Sequence, residues 1–292
     1  MEQLTITGYS TALFSTWYFV DELSILFDAG DGVTAGLLQK AGKVKHVFVS
    51  HADRDHLTGL LQFNQLNARD GGPVIYYPKD SGSFPALRSF SNQFDPHVSG
   101  MQWQPATPGE DIYVKHDLVV TPVSNGHVPA PPGIIKSLGY SVCQVKRKLK
   151  PELANLIGLE IKKLRGELGE EKTTDEVRTN IISYSGDTPV EDMERWKNAN
   201  ILIHEATFLT GKEDTLPAHG NKHSLLEEVM EMVSTTNVKQ LILGHFSSRY
   251  SNDEIETAVK ELCDKYAVNI PVYCVLPGEI KRDILRGEQV NR

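Results

Sequence analysis

The chain has 292 residues, 40% of them apolar, and a net charge of −8. That length is long for one domain but routine for an α/β architecture, and the acidic balance argues against a general nucleic-acid binder. No apolar run approaches the ~20 residues of a membrane span, and the first residues lack a basic stretch ahead of a clean apolar core. Three scattered cysteines, Cys143, Cys263 and Cys274, fit neither a disulfide framework nor a clustered zinc motif, so a reducing, cytoplasmic setting is expected. No linker, low-complexity tract or internal repeat divides the chain, and residues 1–292 read as one domain.

In chain order, Val44 to Ser50 (VKHVFVS) is β-branched and apolar enough for a buried strand. It runs into Ser-His-Ala-Asp-Arg-Asp-His-Leu-Thr-Gly at 50–59, and a helix is expected from Leu57 to Asn67. Val119 to Val123 is strand-like and leads into Asn125-Gly126-His127, then a rigid loop, Pro129-Ala-Pro-Pro-Gly133. Ile181 to Ser185 is strand-like and ends in Gly186-Asp187-Thr188. Thr188-Pro-Val-Glu191 carries the start signals of a helix over Pro189 to Lys197. Ile201 to Ile203 precedes His204-Glu205-Ala206-Thr207-Phe208, and a helix is expected from Ser224 to Ser234. Leu241 to Leu243 precedes Gly244-His245-Phe246, and Ser251-Asn-Asp-Glu254 is a capping box for a helix over Asn252 to Tyr266.

Four metal-capable side chains, His51, Asp53, Asp55 and His56, fall within six residues at the end of the first strand. They cannot all face one ion. His51 and Asp53, two apart, can reach one metal while Asp55 and His56 turn toward a second, as expected of a site that activates water between two ions. Each later strand also ends in a histidine or acid, where the sheet fixes the backbone and the side chains face a cleft. His46, His97, His116 and His219 lack such context and read as structural or surface residues; Trp17, Trp103 and Trp196 read as core or interface.

The segment at 50–56 resembles the His-x-His-x-Asp-His signature of metallo-β-lactamase fold hydrolases. The order of the later motifs (126–127, 186–188, 204–208, Lys-His-Ser at 222–224, Gly-His-Phe-Ser-Ser-Arg-Tyr at 244–250) is similar to the ribonuclease Z branch, and Leu26-Phe27-Asp28-Ala29-Gly30 resembles its early strand and turn. The resemblance implies a four-layer αββα sandwich and a metal-dependent phosphodiesterase that trims the 3′ trailer of precursor transfer RNA. It implies two divalent ions, expected to be zinc. His51, Asp53 and His127 would hold the first, Asp55, His56 and His245 the second, with Asp187 between them. Glu205 and His223 would be the acid/base pair, Asp55 would join them in catalysis, and Arg249 would grip a phosphate. His204 would steady neighbouring groups. Asp53 departs from the family's histidine, and its oxygen leaves manganese or another divalent ion open.

Residues 146–165 carry Lys146, Arg147, Lys148, Lys150, Lys162, Lys163 and Arg165 against Glu152 and Glu160. They lie in a basic insertion at about 139–180, where the resembled family has a transfer-RNA arm. Lys146, Arg147 and Lys148 are the substrate-binding candidates; the plain alternative is a solvated helix pair. The resemblance further implies a homodimer. Two other functions stay open: a phosphodiesterase on a small substrate such as a cyclic nucleotide, and a non-catalytic protein that binds RNA or a partner.

Overall fold

Val47 and Phe48 point to opposite sides of one short strand, and both are fully buried. This double burial recurs along the chain and requires layers on each side of a sheet. In the computed structural model, which describes residues 4–95, 100–209 and 222–292, two sheets face each other. The first contains β1 (Ile6–Thr11), β2 (Ser15–Val20), β3 (Ile25–Phe27), β4 (His46–Phe48), β5 (Val74–Pro78) and β6 (Gln102–Ala106), side by side in that order. The first three strands are antiparallel and the remaining pairings parallel. The second contains β7 (Ile112–Lys115), β8 (Leu118–Ser124), β9 (Leu138–Leu149), β10 (Thr174–Tyr184), β11 (Ile201–Glu205), β12 (Leu241–Gly244) and β13 (Val272–Cys274). Here β10 to β13 run parallel, and β7 to β10 pair antiparallel.

The helices are α1 (Val33–Leu37), α2 (Arg54–Leu57), α3 (Leu60–Asn67), α4 (Ser83–Phe94), α5 (Gly158–Leu168), α6 (Glu170–Thr173), α7 (Leu226–Thr235) and α8 (Asn252–Lys265). Phe27, Phe48, Tyr140, Ile182, Ile203 and Ile242 fill the space between the sheets. Their strand neighbours face outward: Leu26 and Val47 meet α1, α3 and α4, while Leu202, Leu241 and Leu243 meet α7 and α8. This is the expected four-layer arrangement. Each buried phenylalanine contributes roughly 1.5–3 kcal/mol, and Tyr140 Oη, donating to the Val49 carbonyl at 2.7 Å, ties one sheet to the other.

The expected strands are all present, and the capping box at Ser251 forms: Ser251 Oγ accepts from the Glu254 N–H at 3.3 Å, and Glu254 Oε2 accepts from the Ser251 N–H at 2.8 Å. Three expectations need correction. The helix expected over Pro189 to Lys197 is irregular chain and turns. Its supposed cap is committed elsewhere, because the Thr188 N–H donates to Glu205, its carbonyl accepts from Ser224, and its hydroxyl donates to the Pro189 carbonyl. The helix expected over Leu57 to Asn67 breaks into α2 and α3. Gly59 sits against the 29–30 turn, where a Cβ would lie 2.2 Å from the Gly30 carbonyl oxygen, and its N–H leaves the helix to reach the Ala29 carbonyl.

The third correction is the basic insertion. It is a long antiparallel hairpin of β9 and β10 with α5 and α6 at its far end, not a helix pair alone. Lys146, Arg147 and Lys148 lie exposed on β9, where Arg147 pairs across from Glu176 and Lys148 from Asp175. Residues 139–180 carry nine basic and seven acidic side chains, so the excursion as a whole is nearly neutral.

The three tryptophans are buried, as expected. His46 is half-buried against Phe48 and Tyr76, and His116 is exposed; His97 and His219 lie outside the described residues. The cysteines are free thiols. No helix among the described residues is long and apolar enough to cross a membrane.

Candidate active site

The ends of β4, β8, β10, β11 and β12 converge on one cleft. His51 comes from the turn after β4 and Asp55 and His56 from α2 directly behind it, His127 from the loop after β8, and Asp187 from the turn after β10. Glu205 closes β11, and His245 follows β12. Two tight positions allow this convergence. A Cβ on Gly244 would fall 2.1 Å from Tyr18 Oη, and one on Gly186, whose φ is +58°, would fall 2.6 Å from Ser50 Cβ.

Hydrogen bonds behind the cleft set the tautomers of four histidines. Ser50 Oγ donates to Asp28 Oδ2 at 2.8 Å, so it accepts from His51 Nδ1–H at 2.9 Å. His56 Nδ1–H donates to Asp28 at 2.6 Å and His127 Nδ1–H to the Lys222 carbonyl at 2.7 Å. Thr207 Oγ1 donates to Glu205, leaving it to accept from His245 Nδ1–H at 2.9 Å. Each imidazole therefore presents an Nε2 lone pair to the cleft.

Those lone pairs face acceptors, not donors. His51 Nε2 and His127 Nε2 are buried and make no hydrogen bond. His56 Nε2 lies 3.4 Å from His245 Nε2, and Asp187 Oδ2 lies 3.2 Å from each of them and 3.7 Å from His51 Nε2. Inward lone pairs and a buried carboxylate repel one another unless a cation sits among them. The donor set thus fits divalent metal ions. Among the described residues, the groups with ligand atoms close enough to share one ion are His51–His127–Asp187, Asp55–His56–His245 and Asp187–His223–His245.

Asp53 belongs to none of these groups, yet its Oδ2 lies 3.6 Å from His51 Nε2 and 3.5 Å from His127 Nε2. It stands at the N-cap of α2 but makes no capping bond; its carboxylate turns to the two imidazoles instead. When those imidazoles are protonated at Nε2 they donate to it and hold its carboxyl well below the usual range. Burial alone would raise the Asp187 carboxyl; where His245 and His56 carry a proton in place of a cation, their charge more than offsets burial and holds it well below that range.

Beside this cluster, His223 Nδ1–H donates to Glu205 Oε1 at 3.1 Å. Glu205 is itself fixed by the Thr188 N–H at 2.7 Å and the Thr207 N–H at 3.2 Å. Burial disfavours the charged imidazole, yet the Glu205 carboxylate outweighs it and pushes His223 up to about 9. Arg249 lines the cleft mouth with its guanidinium 5.9 Å from the Phe208 ring centre, and its Nε donates to Ser247.

The structure brings together the residues expected around the metals and the acid/base pair. Lys146, Arg147 and Lys148 do not line the cleft; they sit on the β9–β10 hairpin. His204 is buried and donates from Nδ1 to the Glu205 carbonyl at 2.7 Å, a steadying contact. Sequence reading gave no role to Asp28, which is fully buried and accepts from Ser50 N–H, Ser50 Oγ, His56 and Tyr184. The one available signal was a lone acid directly after an apolar strand.

Residues 24–246 match the family model described as "Beta-lactamase superfamily domain". The chain belongs to this superfamily of metallo-hydrolases. Within it, the chain is similar to the chloroplast tRNase Z of Arabidopsis thaliana, at 29% identity over 92% of this chain and 75% of that one. It is 32% identical to the ribonuclease Z of Ignicoccus hospitalis, over 82% of this chain and 84% of its relative. A metallo-β-lactamase fold protein of Bacillus subtilis superposes over 96% of this chain and 100% of its own, with a TM-score of 0.64 at 14% identity, which supports the fold alone. The chain is accordingly a metal-dependent hydrolase of the ribonuclease Z type.

Proposed function

We propose that the protein is a two-metal phosphodiesterase that cuts precursor transfer RNA at the 3′ end, as the relatives named for transfer-RNA cleavage imply. The observation that carries this reading is the Asp187 carboxylate set among four inward-facing Nε2 atoms, with His223 and Glu205 alongside. His51, Asp53 and His127 would hold one ion and Asp55, His56 and His245 the other, with Asp187 shared. When bound, the ions supply Lewis acidity, lowering the pKa of water from 15.7 to ~7 and offsetting phosphate charge. Imidazole donors favour zinc, and the Asp53 oxygen widens the choice toward manganese. With Nδ1 held by Glu205, His223 Nε2 is the atom that hands a proton to the departing 3′ oxygen. Arg249 supplies a planar donor fork for a phosphate.

Elemental analysis of protein purified without chelator, together with hydrolysis of bis(p-nitrophenyl) phosphate and of a transfer-RNA precursor, tests the reading. About two metals per chain and cleavage of the precursor support it. One metal or none, with no turnover after adding any divalent ion, overturns it.

Lys146, Arg147 and Lys148 are the proposed RNA grip on the hairpin. Replacing all three by alanine is expected to raise KM for the precursor several-fold and to flatten its salt dependence by roughly two to three units of slope, with a smaller change on bis(p-nitrophenyl) phosphate. An unchanged salt slope would remove them from the interface. The near-neutral hairpin favours a second reading, a phosphodiesterase acting on a small substrate such as a cyclic nucleotide; an untouched precursor in the same assay would select it.

We also infer a homodimer formed through α3 and α4. These helices carry one charged side chain, Arg88, yet expose Leu61, Leu66, Phe90 and Phe94. Phe90 stacks on Phe94 beside a groove whose lining includes buried Asn64 and Ser91, with Asn64 Oδ1 and Ser91 Oγ unpaired. Apart from Arg88 and Asp95, which also lines the groove, this face is amides, aromatics and leucines; a face so poor in charge suits two copies of an acidic chain, since a strongly charged one would meet its own sign across a two-fold axis. Phe94→Lys is expected to halve the mass measured by light scattering; a wild-type monomer would refute the dimer.

A further inference from the structure

At the cleft mouth, residues 11–14 form the turn between β1 and β2, closed by the Phe14 N–H donating to the Thr11 carbonyl at 3.1 Å. Leu13 occupies its third position with φ +71°, a left-handed conformation that favours glycine or asparagine and strains a bulky side chain. Packing within the chain does not offset that strain, because Leu13 is 89% exposed and Phe14 is 61% exposed. The Leu13 N–H donates to Asp55 Oδ2 at 3.0 Å, which fixes the turn in front of the cluster. That bond needs only backbone, and glycine would supply it without strain. The exposed leucine side chain is therefore left without a structural role inside the chain.

Its surroundings give it one. Leu13 lines the same cleft as Asp187, His223 and Arg249, and Phe208 also lines that cleft with the Arg249 guanidinium over its ring. A phosphate needs cations and donors, which the cluster and Arg249 provide. Apolar walls do nothing for the phosphate itself; they match the flat face of a base attached to it. An aromatic ring carrying a guanidinium is likewise a surface on which bases stack regardless of sequence.

We infer that Leu13, facing the same cleft as the Phe208 ring, forms an apolar wall that receives the nucleobase next to the scissile phosphate, so that the enzyme selects nucleotide diesters over simple alkyl diesters. The inference rests on the phosphodiesterase reading above. Leu13 acts as a specificity residue. Its position on a strained turn bonded to Asp55 keeps the wall in register with the reacting phosphate.

The test compares thymidine 5′-(p-nitrophenyl phosphate) with methyl p-nitrophenyl phosphate, which share a leaving group, in the full-length wild type, Leu13→Asn and Leu13→Gly. Asparagine accepts the left-handed backbone, so Leu13→Asn is expected to melt no lower than wild type while losing the wall. In each variant the thymidine-to-methyl ratio of kcat/KM is expected to fall about tenfold, mainly through KM, in line with the loss of ~1.4 kcal/mol of stacking. Ratios within twofold of wild type in both variants overturn the inference and leave the phosphodiesterase reading standing. So does a fall seen with an octyl ester but not with thymidine. A wild type that turns over none of these esters, with metals loaded, overturns both.

Discussion

An Asp187→Ala protein is expected to lose most of its bound metal and to hydrolyse bis(p-nitrophenyl) phosphate about 10³-fold more slowly, the equivalent of ~4 kcal/mol. Asp187 Oδ2 approaches His51, His56 and His245 within 3.2 to 3.7 Å, so one carboxylate serves both halves of the cluster. Without it, each half retains two imidazoles and one aspartate, Asp53 or Asp55. Four Nε2 lone pairs would then face each other with less negative charge to hold a cation among them. The fold should survive, because Asp187 sits in a turn after β10 and spans neither sheet. Metal content by elemental analysis and far-UV circular dichroism on the same sample separate the two effects. A variant with two metals and near-normal turnover would show that Asp187 is not shared.

Much of this site could be read from the sequence because its chemistry demands rare side chains at strand ends. His51, Asp55, His56, His127 and His245 each follow an apolar run, and a sheet with both faces buried allows few other places for them. The supporting bonds were not legible in the same way. Tyr184 and Asp28 are 156 residues apart and meet only because β3 and β10 lie in facing sheets. Thr188 reads locally as a helix cap; the site overrides it, taking its N–H for Glu205 and its carbonyl for Ser224. The basic insertion misled for a related reason. Residues 144–149 have no strong local preference, and their strand exists through pairing with 174–179 across the hairpin. Asp53 could be read as a departure, but only the distances to His51 and His127 assign its direction.

The second large effect is expected at His223. His223→Ala should lower kcat by 10²–10⁴, the usual contribution of a placed general acid or base, while leaving metal content unchanged. The pairing of these two readouts matters because His223 also lies near Asp187 and His245, close enough for the three to share an ion. If His223 were a ligand, metal would leave with it. Its Nδ1 is instead engaged by Glu205, which outweighs the effect of burial and keeps the ring protonated up to about 9. The protonated form is the one that donates, so activity should fall as pH rises through that value, and bound cations would move the midpoint lower. Glu205→Gln removes the carboxylate that sustains the charge. It should therefore shift the alkaline limb toward lower pH with a smaller loss of kcat at pH 6 than His223→Ala. If the alkaline limb persists unchanged in His223→Ala, another group supplies the proton.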